Sequence, residues 1–121
     1  MPVSLISDED KLTAVLSGEI DHHHAKEIRE EVDTVLLRQK PRELCFDFRD
    51  VSFMDSSGIG LIMGRYRICA PYGGKVSIIN TSAYLRRVMR LSGIDELVSF
   101  PKSNEGSDNV ICRTAPKKEE L

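Results

Sequence analysis

One segment of this chain, residues 53–60 (F-M-D-S-S-G-I-G), marks where a strand must give way to a helix. An apolar run at 44–48 precedes it and predicts a buried strand, and apolar side chains recur after it at helical spacing. Asp55, Ser56 and Ser57 stand where that helix begins, and Asp and Ser are favoured N-cap residues. A helix start carries unpaired N–H groups and a partial positive charge, so it can stabilise a phosphate on an exposed serine. The segment therefore indicates a switch rather than a reaction centre.

Strand and helix patterns alternate along the chain after an initial pair of strands. The predicted elements are strands at 3–6 and 12–16, a helix at about 24–38, a strand at 44–48, a helix after Ser57, a strand at 76–79, a helix from Ser82 through Leu91, and a last strand at 97–100. This order predicts an α/β fold, with a mixed β-sheet of about four to five strands covered by about three to four α-helices.

Composition excludes several classes of function. The 17 basic and 19 acidic residues are interspersed and give a net charge of −2, so the sequence shows no nucleic-acid footprint. The basic cluster Arg86, Arg87 and Arg90 is explained most simply as the solvent side of an amphipathic helix. No window approaches the ~18 apolar residues of a membrane helix, and the three cysteines lack a C-x-x-C pair. We expect a soluble cytoplasmic domain whose cysteines are mostly small buried side chains.

Three chemical interpretations of the D-S-S-G-I-G motif compete. The first is a dinucleotide loop, because Gly58, Gly60 and Gly64 follow a strand and open a helix. Their spacing is one residue too long for that fingerprint, and the next strand ends at Asn80 rather than at an acid that would bind a ribose. The second is a serine nucleophile assisted by Asp55 and a histidine of the run 22–24. No G-x-S-x-G elbow is present, and adjacent histidines do not share a helix face for a metal. We expect no catalytic residue, metal or cofactor.

The third interpretation is a phosphoacceptor within a protein-binding surface, and it agrees best with the residues. Glycine inside a helix costs about 1 kcal/mol relative to alanine, so the three glycines need a reason. Close approach of a partner or a kinase explains Gly58 and Gly60 best, whereas packing of helix on sheet is equally open at Gly64. Spacing alone does not choose between Ser56 and Ser57 as the acceptor.

Three segments carry a resemblance to a known family. They are V-S-F-M-D-S-S-G-I-G-L-I-M-G-R-Y at 51–66, G-E-I-D-H-H at 18–23 and L-R-R-V-M-R-L-S-G-I at 85–94. In their order along the chain and in the spacing between them, these segments resemble the STAS-domain family of anti-anti-sigma factors. The D-H-H and S-F-M-D-S-S-G matches resemble its sporulation branch more than its stress-response branch.

The resemblance implies a STAS-like fold and a partner-switching function without enzymatic activity. In such a switch the unphosphorylated protein binds an anti-sigma factor that is also a serine kinase, and thereby releases a sporulation sigma factor. Phosphorylation of the serine directly after the aspartate, here Ser56, ends the complex, and a serine phosphatase restores it. A scaffold or antagonist in a general-stress partner switch is the alternative. The implied partner-binding residues are Asp21, His22, Asp55, Ser56, Ser57, Gly58, Ile59, Gly60 and Met63.

The domain boundary is placed near Pro101. Residues 1–101 form the predicted STAS domain, and residues 102–121 form a polar C-terminal tail without a convincing period. The family usually carries a final helix there. This tail departs from that pattern, and we favour a mobile end over a short helix.

Overall fold

The structure, a computed structural model, describes residues 3–101. The elements are β1 (Val3–Asp8), β2 (Lys11–Ile20), α1 (His22–Gln39), β3 (Glu43–Met54), α2 (Ser56–Cys69), a 3₁₀ turn (Ala70–Tyr72), β4 (Lys75–Ile79), α3 (Ala83–Ser92) and a second 3₁₀ turn (Ile94–Glu96). The four strands form one sheet in the order β1-β2-β3-β4. β1 pairs antiparallel with β2, and the remaining pairs are parallel. The predicted mixed α/β sheet is confirmed, with four strands and three α-helices in the described residues.

The core lies between one face of the sheet and the helices α1 and α2. Alternate residues of the parallel strands point to this face and match across the sheet, as Leu12 does with Leu44 and Ala14 with Phe46. The helix α1 buries Ala25, Ile28, Val32 and Leu36 at helical spacing, as its sequence predicts. Cys45 and Cys69 are buried thiols, in agreement with the expectation for both. The third cysteine, Cys112, lies outside the described residues.

Several elements begin or end away from their predicted bounds. β3 continues to Met54 rather than stopping at residue 48, because its pairing with β2 continues through two register shifts, one after Asp47 and one at Ser52, each of which accommodates an extra residue of β3. α1 begins at His22, because Asp21 already serves as its N-cap. β2 likewise continues to Ile20 rather than stopping at residue 16, so both strands extend to the predicted functional segment.

The predicted last strand at 97–100 is wrong. Gly93 adopts a left-handed conformation that ends α3, and the 3₁₀ turn that follows comprises residues Ile94–Glu96. Only Ser99 then bridges β4, at Ser77. Phe100 turns to α3, where its ring lies 3.8 Å from the guanidinium carbon of Arg86. The predicted tail at 102–121 lies outside the described residues.

The surface of α3 agrees in part with the sequence prediction. Arg87 and Arg90 are exposed, whereas Arg86 is half-buried against the Phe100 ring. Among residues 3–101, no helix has the length and apolar character needed to cross a membrane.

A buried ion pair joins α1 to α2. The Nε atom of Arg65 lies 2.9 Å from Oδ1 of Asp33, and the two side chains are 8% and 24% exposed. Burial raises the pKa of the Asp33 carboxyl and lowers the pKa of the Arg65 guanidinium, although each group favours the charged form of the other. Removing one partner from such a pair leaves a desolvated charge behind. The pair therefore sets how α2 lies against α1.

We expect Asp33→Ala to lower the free energy of unfolding by about 2 kcal/mol, because Arg65 then keeps a buried charge without its partner. The value lies below that of a fully buried pair because part of Asp33 remains in solvent. Denaturant unfolding of the variant measures it. Glu30→Ala, at an exposed position of the same helix, is the matched control and should change stability little. Equal stability of the two variants would contradict a structural role for the pair.

Candidate functional site

The strand-to-helix junction after β3 is built around Asp55. Its backbone is extended (φ −105°, ψ −167°), and its Oδ1 accepts a hydrogen bond of 2.8 Å from the Ser57 N–H. The Asp55 N–H donates to the Ile20 carbonyl at 3.3 Å, which ties the junction to the end of β2. Gly58 closes the first turn by donating to the Asp55 carbonyl at 3.0 Å. Asp55 is thus the N-cap of α2, as its sequence position predicts.

The two serines of the motif differ in their surroundings. Ser56 is the first residue of α2 and is exposed, whereas Ser57 is half-buried and faces α1. Within residues 3–101, no hydrogen bond engages the Ser56 hydroxyl. A kinase can therefore reach Ser56 more easily than Ser57, a distinction that the spacing of the two serines did not provide.

A second capped helix start lies beside the first. Asp21 is the N-cap of α1, and its Oδ1 accepts a hydrogen bond of 2.9 Å from the His24 N–H. This backbone hydrogen bond is the main reason that the pKa of the Asp21 carboxyl is lowered, and the His24 ring, whose Nδ1 lies 3.0 Å from the same oxygen, acts in the same direction.

The sheet brings these two starts together. Ile20 and Met54 pair at the carboxyl ends of the parallel strands β2 and β3, so the residues that follow them meet at one edge. The structure thus places Asp21 and His22 next to Asp55 and Ser56, as expected if they share a binding face.

The remaining predicted partner residues lie on the first two turns of α2. Ser56, Ile59, Gly60 and Met63 recur at spacings of three and four residues and therefore share one side of the helix. Ser56 and Gly60 are exposed, while Ile59 and Met63 are half-buried and pack against the core. This side of α2 thus combines an apolar strip with the exposed Ser56.

Phe53 is a surface residue at this site that sequence reasoning missed. It is 41% exposed, whereas its neighbour Met54 is buried. Side chains alternate between the faces of a strand, so a burial assignment for Met54 would have placed Phe53 on the opposite face. The prediction that the strand ended at residue 48 concealed this signal.

The three glycines of α2 lie in different surroundings, so their presence in the helix needs different explanations. Gly58 is buried, and a Cβ atom there would lie 2.6 Å from Sδ of Met54 and 3.2 Å from Cγ2 of Ile20. Close packing on the sheet therefore explains Gly58, and the expectation that a partner required this glycine is corrected. Within residues 3–101, a Cβ at Gly60 or Gly64 would meet nothing within 4 Å, so the packing of helix on sheet considered for Gly64 is wrong.

The histidine run 22–24 forms contacts of ordinary helix residues. His23 lies 3.6 Å from Glu27 one turn along α1, and His24 contacts the cap Asp21. Within the part of the chain that the structure describes, no three His, Cys, Asp or Glu side chains are grouped to hold a metal ion.

Comparison with known proteins identifies the family. The STAS domain model matches residues 5–107. The anti-sigma F factor antagonist of Paenibacillus polymyxa is 31% identical over 83 residues, which cover 69% of this chain and 71% of the relative. The anti-sigma-B factor antagonist of Bacillus subtilis is 29% identical over 104 residues, covering 86% and 94% of the two chains. The chain therefore belongs to the STAS-domain family of anti-sigma factor antagonists.

Solved structures agree with this assignment. The anti-sigma factor antagonist SpoIIAA in its unphosphorylated form superposes with a TM-score of 0.75 at 30% identity, covering 85% of this chain and 89% of that one. The phosphorylated form of SpoIIAA from Bacillus superposes with a TM-score of 0.69 at 30% identity, covering 85% and 92%. The fold described above is thus the STAS fold.

We expect Gly60→Ala to raise the free energy of unfolding by about 0.5–1 kcal/mol, because alanine is the better helix former and the added methyl group meets open space. Gly58→Ala should instead lower it by about 1–3 kcal/mol, because the buried Met54 side chain must move. Denaturant unfolding of both variants tests the pair. Stabilisation by both substitutions would refute the packing explanation for Gly58.

Proposed function

We propose that this protein is an anti-sigma factor antagonist controlled by phosphorylation of Ser56. The unphosphorylated form binds an anti-sigma factor with serine kinase activity in the cytoplasm, and thereby releases a sporulation sigma factor. The kinase phosphorylates Ser56, the complex dissociates, and a serine phosphatase regenerates the active form. The protein is a ligand and a substrate in this cycle rather than an enzyme. The observation that carries the proposal is an exposed serine at the start of α2, beside a second helix start at the same edge of the sheet.

The position of Ser56 explains how a phosphate can act without unfolding the protein. A phosphoserine adds a charge of about −1.5 to −2 and three strong acceptor oxygens. The unpaired N–H groups and the dipole of α2 offset this charge, although the neighbouring Asp55 repels it. Because Asp55 caps the helix through the Ser57 N–H, the Ser56 hydroxyl is not needed for the fold. The phosphate therefore acts on the bound partner.

The relatives support this proposal. SpoIIAA, 30% identical to this chain, has been solved in unphosphorylated and phosphorylated forms with the same fold as this chain. The relatives from Paenibacillus polymyxa and Lysinibacillus sphaericus, at 31% and 30% identity, are anti-sigma F factor antagonists. They favour a sporulation sigma factor as the one released.

We expect Ser56→Ala to bind the anti-sigma factor persistently in the presence of ATP, and Ser56→Asp to bind it roughly tenfold or more weakly while remaining folded. Titration with the purified anti-sigma factor and circular dichroism measure the two properties. Peptide mass spectrometry after incubation with the kinase and ATP locates the phosphate. The matched control is Ser57→Ala, which should still be phosphorylated at Ser56.

Two results would reject the switch. One is an equal affinity of Ser56→Ala and Ser56→Asp for the anti-sigma factor. The other is phosphate that is found at Ser57 in the wild-type protein and is lost in Ser57→Ala.

We also expect Asp55 to set the geometry of the acceptor. Asp55→Ala should lower the free energy of unfolding by about 1 kcal/mol through loss of the cap, and should slow phosphorylation of Ser56. Asp55→Asn keeps a capping oxygen and should restore most of the stability. Initial phosphorylation rates and denaturant unfolding of both variants test this role. A wild-type phosphorylation rate in Asp55→Ala would exclude it.

A general-stress partner switch is the second candidate function. The antagonist of anti-sigma-B factor from Bacillus subtilis matches this chain over 104 residues and 94% of its own length, which is a longer alignment than that of the Paenibacillus polymyxa relative. Parallel titrations with an anti-sigma-F and an anti-sigma-B factor distinguish the two. Tighter binding to the anti-sigma-B factor would favour the stress-response role.

A further inference from the structure

A basic groove runs between α1 and α2 beside the acceptor serine. It has a volume of about 370 Å³, and its lining includes His22, Lys26, Arg29, Gly60, Gly64 and Arg65. On α2 the groove extends from Ser57 to Arg65, a rise of about 12 Å along the helix. It is therefore an elongated feature, and it begins at the proposed anti-sigma factor interface.

The charges of α1 are sorted between its two sides. Lys26 and Arg29 face the groove, and among residues 3–101 no acidic residue lines it. On the other side of α1, Glu27, Glu30 and Glu31 line a separate depression with Glu19. In the described part of the chain, neither Lys26 nor Arg29 forms an ion pair, whereas Arg65 is held by Asp33. A chain with a net charge of −2 thus presents a basic strip next to Ser57, although Asp33 pairs with Arg65 and partly offsets the charge of Arg29.

Two glycines keep this groove open. Gly60 and Gly64 lie one turn apart on α2, and a Cβ atom at either would meet no other described residue within 4 Å. Neither has a positive φ angle, so neither backbone conformation demands glycine. Glycine at these positions weakens the helix with no gain in internal packing. Their effect is to leave room above the helix backbone at the middle of the basic strip.

We propose that this groove receives an acidic segment of the anti-sigma factor, whose carboxylates pair with Lys26 and Arg29 while its backbone passes over Gly60 and Gly64. The elongated shape fits a segment of chain better than a single ion, and the charge complements carboxylates. The inference rests on the proposed function, since it concerns the same partner. It adds a second contact region, which Ser56 phosphorylation does not itself occupy.

The test uses the full chain and the purified anti-sigma factor. The double variant Lys26→Glu/Arg29→Glu should bind roughly tenfold more weakly, and the affinity of the wild-type protein should fall with rising salt more steeply than that of the variant. Gly64→Ala should also weaken binding, although it should not destabilise the fold. The matched control is Arg38→Glu, an exposed charge reversal in the last turn of the same helix, which should bind like wild type.

The outcomes separate this inference from the proposed function. If the wild-type protein binds and responds to Ser56→Asp, but the double variant and Gly64→Ala bind like wild type, the groove proposal is overturned and the switch stands. If the wild-type protein does not bind the anti-sigma factor at all, the proposed function fails, and the groove proposal fails with it. Binding of ATP alone that the double variant abolishes, with unchanged affinity for the anti-sigma factor, would assign the groove to a nucleotide and overturn the proposal. Circular dichroism of each variant confirms that it is folded.

Discussion

The pairing of Ile20 with Met54 at the ends of two parallel strands is the constraint on which the site depends. The Asp55 N–H bond to the Ile20 carbonyl continues this pairing by one residue. Both strands end at the same edge of the sheet, and a helix follows each of them there. Each helix begins after an aspartate in an extended conformation. The register shifts within β2 and β3 allow the two ends to coincide although β3 is the longer strand.

Capping by Asp55 separates the helix cap from the proposed phosphorylation site within three consecutive residues. The carboxylate satisfies the Ser57 N–H, so the residue between them is free to point outward. A serine that capped its own helix would lose that cap on modification, and the helix start would be disturbed. Here the cap, Asp55, and the proposed acceptor, Ser56, are different residues. A change at Ser56 can therefore alter the surface without altering the start of α2.

The sequence predicts the strand and helix order and the position of the site, because apolar periodicity and N-cap residues are local signals. It does not predict the extension of β3, since Arg49 and Asp50 break the apolar pattern and only pairing with β2 carries the strand past them. The prediction of a last strand at 97–100 fails because the local pattern favours a strand that the tertiary structure does not form. These residues are apolar enough for a strand, but the 3₁₀ turn before them leaves a single bridge at Ser99.

Local sequence signals also could not show which of the two serines is exposed, or why each glycine is present in α2. Ser56 and Ser57 are identical side chains, and only the position of α1 makes one half-buried and the other exposed. Gly58 and Gly64 lie in the same helix, and only the sheet beneath Gly58 distinguishes them. These differences arise from contacts between elements that are distant in sequence. A resemblance to a family can indicate the acceptor, but it does not supply the physical reason.

The helix α2 is held at both ends, which explains how it tolerates three glycines. Its start is fixed by the Asp55 cap and by Gly58 against Met54. Its second half is fixed by the Arg65 to Asp33 ion pair, and the turn that follows is fixed by the Tyr72 hydroxyl, which donates to the Pro41 carbonyl at 2.9 Å. Gly60 lies between these anchors, where helix propensity is weakest and tertiary contacts compensate for it. Ser56, the proposed acceptor, thus stands on a helix whose position is set by its neighbours, so we expect modification of Ser56 to change the surface rather than the fold.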